Sequence, residues 1–93
     1  MLYMVIERFK DGAAPEIYRR FRERGRMMPD GLEYISSWIS HDLKTCWQLM
    51  QTDSGEKFEQ WTQNWDDLME FDIVPVCTSA EMREIMAKAD VGG

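Results

Sequence analysis

Apolar residues occupy both parities of the first run, Leu2 to Phe9, where Leu2, Met4 and Ile6 alternate with Tyr3, Val5 and Phe9. A strand covered on two faces reads this way, so the spacing predicts a central β-strand. Lys10, Asp11 and Gly12 make a turn, and Pro15 stands where a first helical turn tolerates it. Ile17, Phe21 and Met28 then recur at helical spacing, which predicts a helix over about 14–28, closed by Pro29, Asp30 and Gly31. Two runs rich in β-branched and aromatic residues follow, Leu32 to Ser40 and Thr45 to Thr52, joined by the polar link His41-Asp42-Leu43-Lys44. They read as an antiparallel hairpin. Asp53, Ser54 and Gly55 introduce a second helix, whose Phe58, Trp61, Trp65 and Leu68 form a stripe at i, i+3, i+7 and i+10. Phe71 to Cys77 is the last strand, with Pro75 best placed at a sheet edge, and Thr78 and Ser79 can cap a short final helix through about Ala89.

The order strand, helix, strand, strand, helix, strand is the ferredoxin-like βαββαβ pattern of an α+β fold. It is predicted to form a four-stranded antiparallel sheet with a short C-terminal helix added. Right-handed crossovers put both helices on one face of that sheet. The other face is left open, yet each strand carries apolar residues on both parities. Tyr34 and Trp38 stand against Ile35 and Ile39, and Cys46 and Met50 against Trp47 and Leu49. An apolar face of that size wants a cover, so the pattern predicts a homodimer packed through the open sheet face. Length agrees with one domain over 1–93, with an ordered part over 1–89 and a tail at 90–93.

Charge narrows the range of partners. Eleven Lys and Arg against seventeen Asp and Glu give a net charge of −6, which argues against a nucleic acid partner. The opening apolar stretch is ended by Glu7 and Arg8, too short for a membrane span, so the expectation is a cytoplasmic protein with no membrane partner. Cys46 and Cys77 are separate and His41 is the sole histidine, which leaves neither a disulfide framework nor a multi-histidine metal site. No metal and no cofactor are expected. His41 beside Asp42 reads as a turn pair, and Asp66, Asp67, Glu70 and Asp72 as a solvated acidic surface.

Five arginines fall within eight positions, at 19, 20, 22, 24 and 26. Arg19, Arg22 and Arg26 lie off the Ile17–Phe21–Met28 stripe and read as a solvated face that pairs with Glu16 or Glu23. Arg24 lies on the stripe, where an unpaired guanidinium is costly. It must snorkel past the helix end, pair with a carboxylate such as Glu7 or Glu33, or meet an anionic ligand. The four-residue link pairs Ser40 with Thr45 and so sets Trp38 opposite Trp47. If that pair faces the helices with Trp65 above it, the three indoles wall a recess whose polar atoms include those of Tyr34 and Ser36. The competing reading fills the core or a dimer interface with the same rings.

Several segments together resemble one family: MVIERFK at 4–10, YRRFRERGRMMPDGL at 18–32, the Trp38 strand, Trp65-Asp66-Asp67-Leu68, and FDIVPV at 71–76. They look like domain of unknown function 3303, within the dimeric α/β barrel superfamily. The resemblance implies the ferredoxin-like fold and a dimer. Relatives across that superfamily include cofactor-free monooxygenases, muconolactone isomerase-like enzymes and haem-degrading proteins, which use a pocket between sheet and helices. His41, placed in a hairpin turn, departs from a haem ligand. Three readings of function follow: a homodimeric domain that binds a small apolar or aromatic ligand, with Trp38, Trp47, Trp65, Tyr34, Ser36 and Arg24 as candidate pocket residues; a cofactor-free monooxygenase- or isomerase-like enzyme; or a purely structural dimerisation module. An enclosed cavity holding a polar group of shifted pKa favours the enzyme, and an apolar cavity favours binding.

Overall fold

A computed structural model describes residues 1–92. The chain forms β1 (Leu2–Phe9), α1 (Ala14–Arg24), β2 (Glu33–Ile39), β3 (Thr45–Gln51), α2 (Glu56–Thr62), β4 (Met69–Val76) and α3 (Ser79–Gly92). The strands make one antiparallel sheet in the order β2-β3-β1-β4, which is the ferredoxin-like α+β arrangement. β1 is central and β4 is an edge, where Pro75 is tolerated. The hairpin closes as its even-numbered link requires, with the Ser40 amide donating to the Thr45 carbonyl at 2.8 Å.

Registers assign the two sheet faces. Tyr3, Val5, Glu7 and Phe9 share one face with Cys46, Gln48 and Met50 and with Met69, Phe71 and Ile73. That face carries the core: Val5 and Met50 are wholly buried, and Ile17 of α1 and Phe58 and Trp61 of α2 close over it. Edge-to-face contacts join Tyr3 to Phe58 at 4.9 Å and Trp61 to Phe71 at 5.4 Å. Burying one such ring removes roughly 150–250 Å² from water, worth about 4–6 kcal/mol. The exposed Arg19–Glu16 pair lies within α1 and is screened by water, so apolar burial rather than that charge pair holds the helix to the sheet.

Both main helices are shorter than their apolar stripes predict. α1 ends at Arg24, four residues before Met28, because Gly25 takes φ 66° and Met27 φ 57°, conformations that a right-handed helix cannot contain. α2 ends at Thr62, and Trp65 and Leu68 reach the core from the turns that follow. The stripe remains apolar, but its helical phase is lost. Beyond the sheet, α3 continues to Gly92, past the Ala89 end that capping and periodicity predict, and Gly93 of the expected tail lies outside the described residues.

A register shift between Tyr34 and Ser36 breaks the alternation along β2. Tyr34 pairs with Met50 on the helix face, whereas Ser36 and Trp38 pair with Leu49 and Trp47 on the other. Trp38 and Trp47 therefore stand opposite each other as the hairpin spacing requires, but away from the helices, 54% and 37% exposed. Trp65 lies on the helix side of the sheet; it and Trp38 both border a recess there, while Trp47 stands on the open face and does not join them.

Candidate functional site

A recess of about 200 Å³ opens between the sheet and α1. Its wall is apolar: Phe9 and Met69 from the sheet, Ile17 and Phe21 from α1, and Trp61 and Trp65 from α2 and the turn after it. Ile39 adds to that wall from the edge strand, and one end is polar. There Glu7 of β1 lies directly opposite Cys46 of β3, and Gln48 opposite Ser37 of β2. Tyr18 and Arg26 face them from above.

Arg26 is held from several sides. Its backbone carbonyl accepts hydrogen bonds from two indoles, Trp61 Nε1 at 2.9 Å and Trp65 Nε1 at 3.1 Å. Its guanidinium lies 3.6 Å from the Tyr34 ring centre and 5.0 Å from that of Phe21, and its Nε donates to Gln48 Oε1 at 3.3 Å. Asn64 Nδ2 donates to the Met27 carbonyl at 3.1 Å, and Arg20 makes a two-pronged pair with Asp67 while donating to the Asn64 carbonyl. The loop after α1 is thus tied to the turn after α2. A cation in that loop is fixed by backbone anchoring and ring stacking.

Burial pushes the Glu7 carboxyl up to about 7, against the opposing pull of a Cys46 hydrogen bond and the Arg26 charge. Desolvation dominates because Glu7 is only 8% exposed. The Cys46 thiol rises to about 12, through burial first and then the nearby Glu7. Tyr18 is also raised, by burial and by the same two neighbours. Near neutrality Cys46 is a thiol and a poor nucleophile, and Glu7 is the group that exchanges a proton.

The residues expected to form a pocket are distributed unevenly. Trp65 lines the recess, Tyr34 supports Arg26 from below, and Trp38 borders the edge by β2 while its register partner is Trp47 on the open face. Trp47 and Ser36 belong to that open face. Arg24 is exposed in the last turn of α1, which answers its choices in favour of solvent. The arginine whose charge reaches Glu7 is Arg26, which helical phase assigned to the solvated face. Had α1 run to 28 that phase would hold; Gly25 resets it. Glu7 carried a readable signal, a lone acid on the Tyr3–Val5–Phe9 parity of a central strand. Cys46, Gln48 and Ser37 carried none, since only the strand register brings them to Glu7. Of the acidic cluster, Asp67 pairs with Arg20 and Asp72 with Arg8. Among the described residues no three of His, Cys, Asp and Glu converge as metal ligands.

Fold and recess together define a class: a small ferredoxin-like α+β domain with a part-apolar recess between its sheet and first helix. The chain belongs to the family described as Domain of unknown function (DUF3303), whose model matches residues 1–90. No curated protein and no solved structure matches it. Among the described residues no helix is long and apolar enough to cross a membrane.

Proposed function

We propose that the domain binds a small, flat, mostly apolar molecule bearing one hydroxyl or carbonyl group. The ring would lie among Phe9, Ile17, Phe21 and Trp65, and the polar end at Arg26, Gln48 and Glu7. The observation that carries this reading is the recess itself, an apolar wall closed at one end by a fixed cation beside a carboxyl that titrates near 7. Its volume of about 200 Å³ lies below the roughly 300–1,000 Å³ usual for drug-sized ligands, which suits a compound of one small ring. A homodimer covering the open sheet face, and a place in the dimeric α/β barrel superfamily, belong to the same reading.

Titration with aromatic acids, quinones and phenols tests it, read by tryptophan emission and by thermal shift. Saturable quenching is expected, since Trp61 and Trp65 line the recess. Arg26→Met should weaken it at least tenfold while the fold survives, because the two indole bonds go to the backbone carbonyl that the substitution keeps. A panel with no saturable binder overturns the proposal.

The position of Glu7 favours a second reading, a cofactor-free isomerase. A general base works best with a pKa near the operating pH, and in this reading Glu7 takes a proton from a carbon beside a carbonyl while Arg26 holds the enolate oxygen. Glu7 then returns the same proton to another carbon of the enolate system, which shifts the double bond and restores the carboxylate. Turnover that rises through pH 7 and is lost in Glu7→Gln, with binding kept, would support it. Binding without turnover returns the domain to the first reading.

A further inference from the structure

Surface area points to a partner for a part of the chain outside the recess. A folded protein of 11.0 kDa is expected to expose about 5,600 Å². This one exposes 6434 Å². The excess of about 800 Å² is what one member of a standard protein–protein interface buries. The radius of gyration is 15.9 Å and the longest dimension 52 Å, whereas a compact chain of this length has a radius near 12 Å.

α3 stands uncovered. Every residue from 77 to 89 is exposed, and Met82, Ile85 and Met86 form an apolar stripe at i, i+3 and i+4 that is 46%, 55% and 55% exposed. A helix of 14 residues is marginal in water without a packed face. Its start is nonetheless well specified: Thr78 Oγ1 accepts from the Glu81 amide at 3.0 Å and bonds the Glu81 carboxylate at 3.1 Å. Only Cys77 and Thr78 separate α3 from β4, and through position 89 the helix lies uncovered rather than folded back on its own sheet. The open sheet face meanwhile carries Trp38, Trp47 and Val74, each more than a third exposed. One chain thus presents both an uncovered apolar helix and an uncovered apolar sheet.

We propose that α3 is an exchanged arm, whose Met82–Ile85–Met86 stripe packs on the open sheet face of a second copy beside Trp38 and Trp47. In a two-fold pair each copy gives one arm and receives one, so a single contact covers both surfaces twice. A foreign partner would have to match two separate surfaces. The inference rests on the homodimer reading above, and its test separates the two.

One sample of the full chain is labelled with ¹⁵N, and another carries a nitroxide spin label on Lys88→Cys in a Cys46→Ser, Cys77→Ser background. The two are mixed and co-refolded, so that any broadening passes between copies. Sedimentation of the same mixture reports the assembly state. The expected result is a dimer in which the indole signals of Trp38 and Trp47 lose most of their intensity, while those of Trp61 and Trp65, behind the sheet, lose less. Met82→Ser, Ile85→Ser and Met86→Ser together should then weaken the dimer at least tenfold. A dimer with no broadening at Trp38 and Trp47 overturns the arm and leaves the dimer standing. A monomer at micromolar concentration overturns both and gives the two surfaces to some other partner.

Discussion

At Glu7 a carboxyl is buried without an ion pair strong enough to keep it charged, and the consequence is a dependence of stability on pH. Its pKa rises from 4.5 in the open chain to about 7 in the fold, so below 4.5 both states hold the proton and no stability is lost. Between 4.5 and 7 the unfolded chain releases its proton first, and stability falls as pH rises, on the order of 3 kcal/mol in all. Glu7→Gln should abolish that decline and be the more stable protein at pH 8, as measured by denaturant melts. Parallel profiles for the two proteins would refute the burial of an unpaired acid. Arg26 supplies a second test. Since its charge holds the Glu7 pKa down, Arg26→Met should move the Glu7 midpoint above 7 in an NMR titration. Arg24→Met, on an exposed residue two positions earlier, should leave that midpoint in place and stability within about 0.5 kcal/mol.

Between α1 and β2, one backbone position decides where a cation goes. Gly25 has φ 66° and ψ −157°, a conformation essentially reserved for glycine, and an added Cβ there meets nothing within 4 Å. Gly25→Ala should therefore lower stability by about 1–3 kcal/mol through backbone strain alone. Gly55, which precedes α2 with φ −61°, is the contrast. Its added Cβ would stand 3.8 Å from the Tyr3 hydroxyl, an ordinary contact, so Gly55→Ala should be neutral or stabilise by about 0.5 kcal/mol. Urea melts of the pair measure the difference, and equal effects would mean that the turn at Gly25 relaxes. The bulge in β2 acts in the same way on the sheet. By shifting register after Tyr34 it sends that ring under Arg26 and Trp38 to the opposite face.

The whole molecule has two apolar surfaces, one on each side of the sheet. The recess faces the helices, and the open sheet face stands on the far side of β1 and β3 from it. Trp38 lies mainly on the second, so Trp38→Leu should change association more than ligand affinity, whereas Trp65→Leu should do the reverse. Light scattering at micromolar concentration is expected to give about twice 11.0 kDa for the native chain and a lower mass for Trp38→Leu. An unchanged mass together with weakened ligand binding would exchange the roles of the two surfaces.

Much of this was legible in the order of residues, because strand alternation, turn residues and caps act over a few positions. The two-sided apolar pattern of β1 placed it at the centre of the sheet, and the four-residue link set Trp38 against Trp47. Pro75 marked an edge. The residues of the recess lay beyond such reasoning. A positive φ at Gly25 reversed which arginine turns inward, and a one-residue bulge reversed which side of β2 faces the helices. Each is a small local departure that propagates, because helix and strand periodicities assign every later side chain by phase. Glu7, Cys46, Gln48 and Arg26 come from two strands and a loop far apart in sequence, and only the packed sheet brings them within reach of one another. The titration of Glu7 follows from that packing too, since burial is a property of the fold and not of the residue.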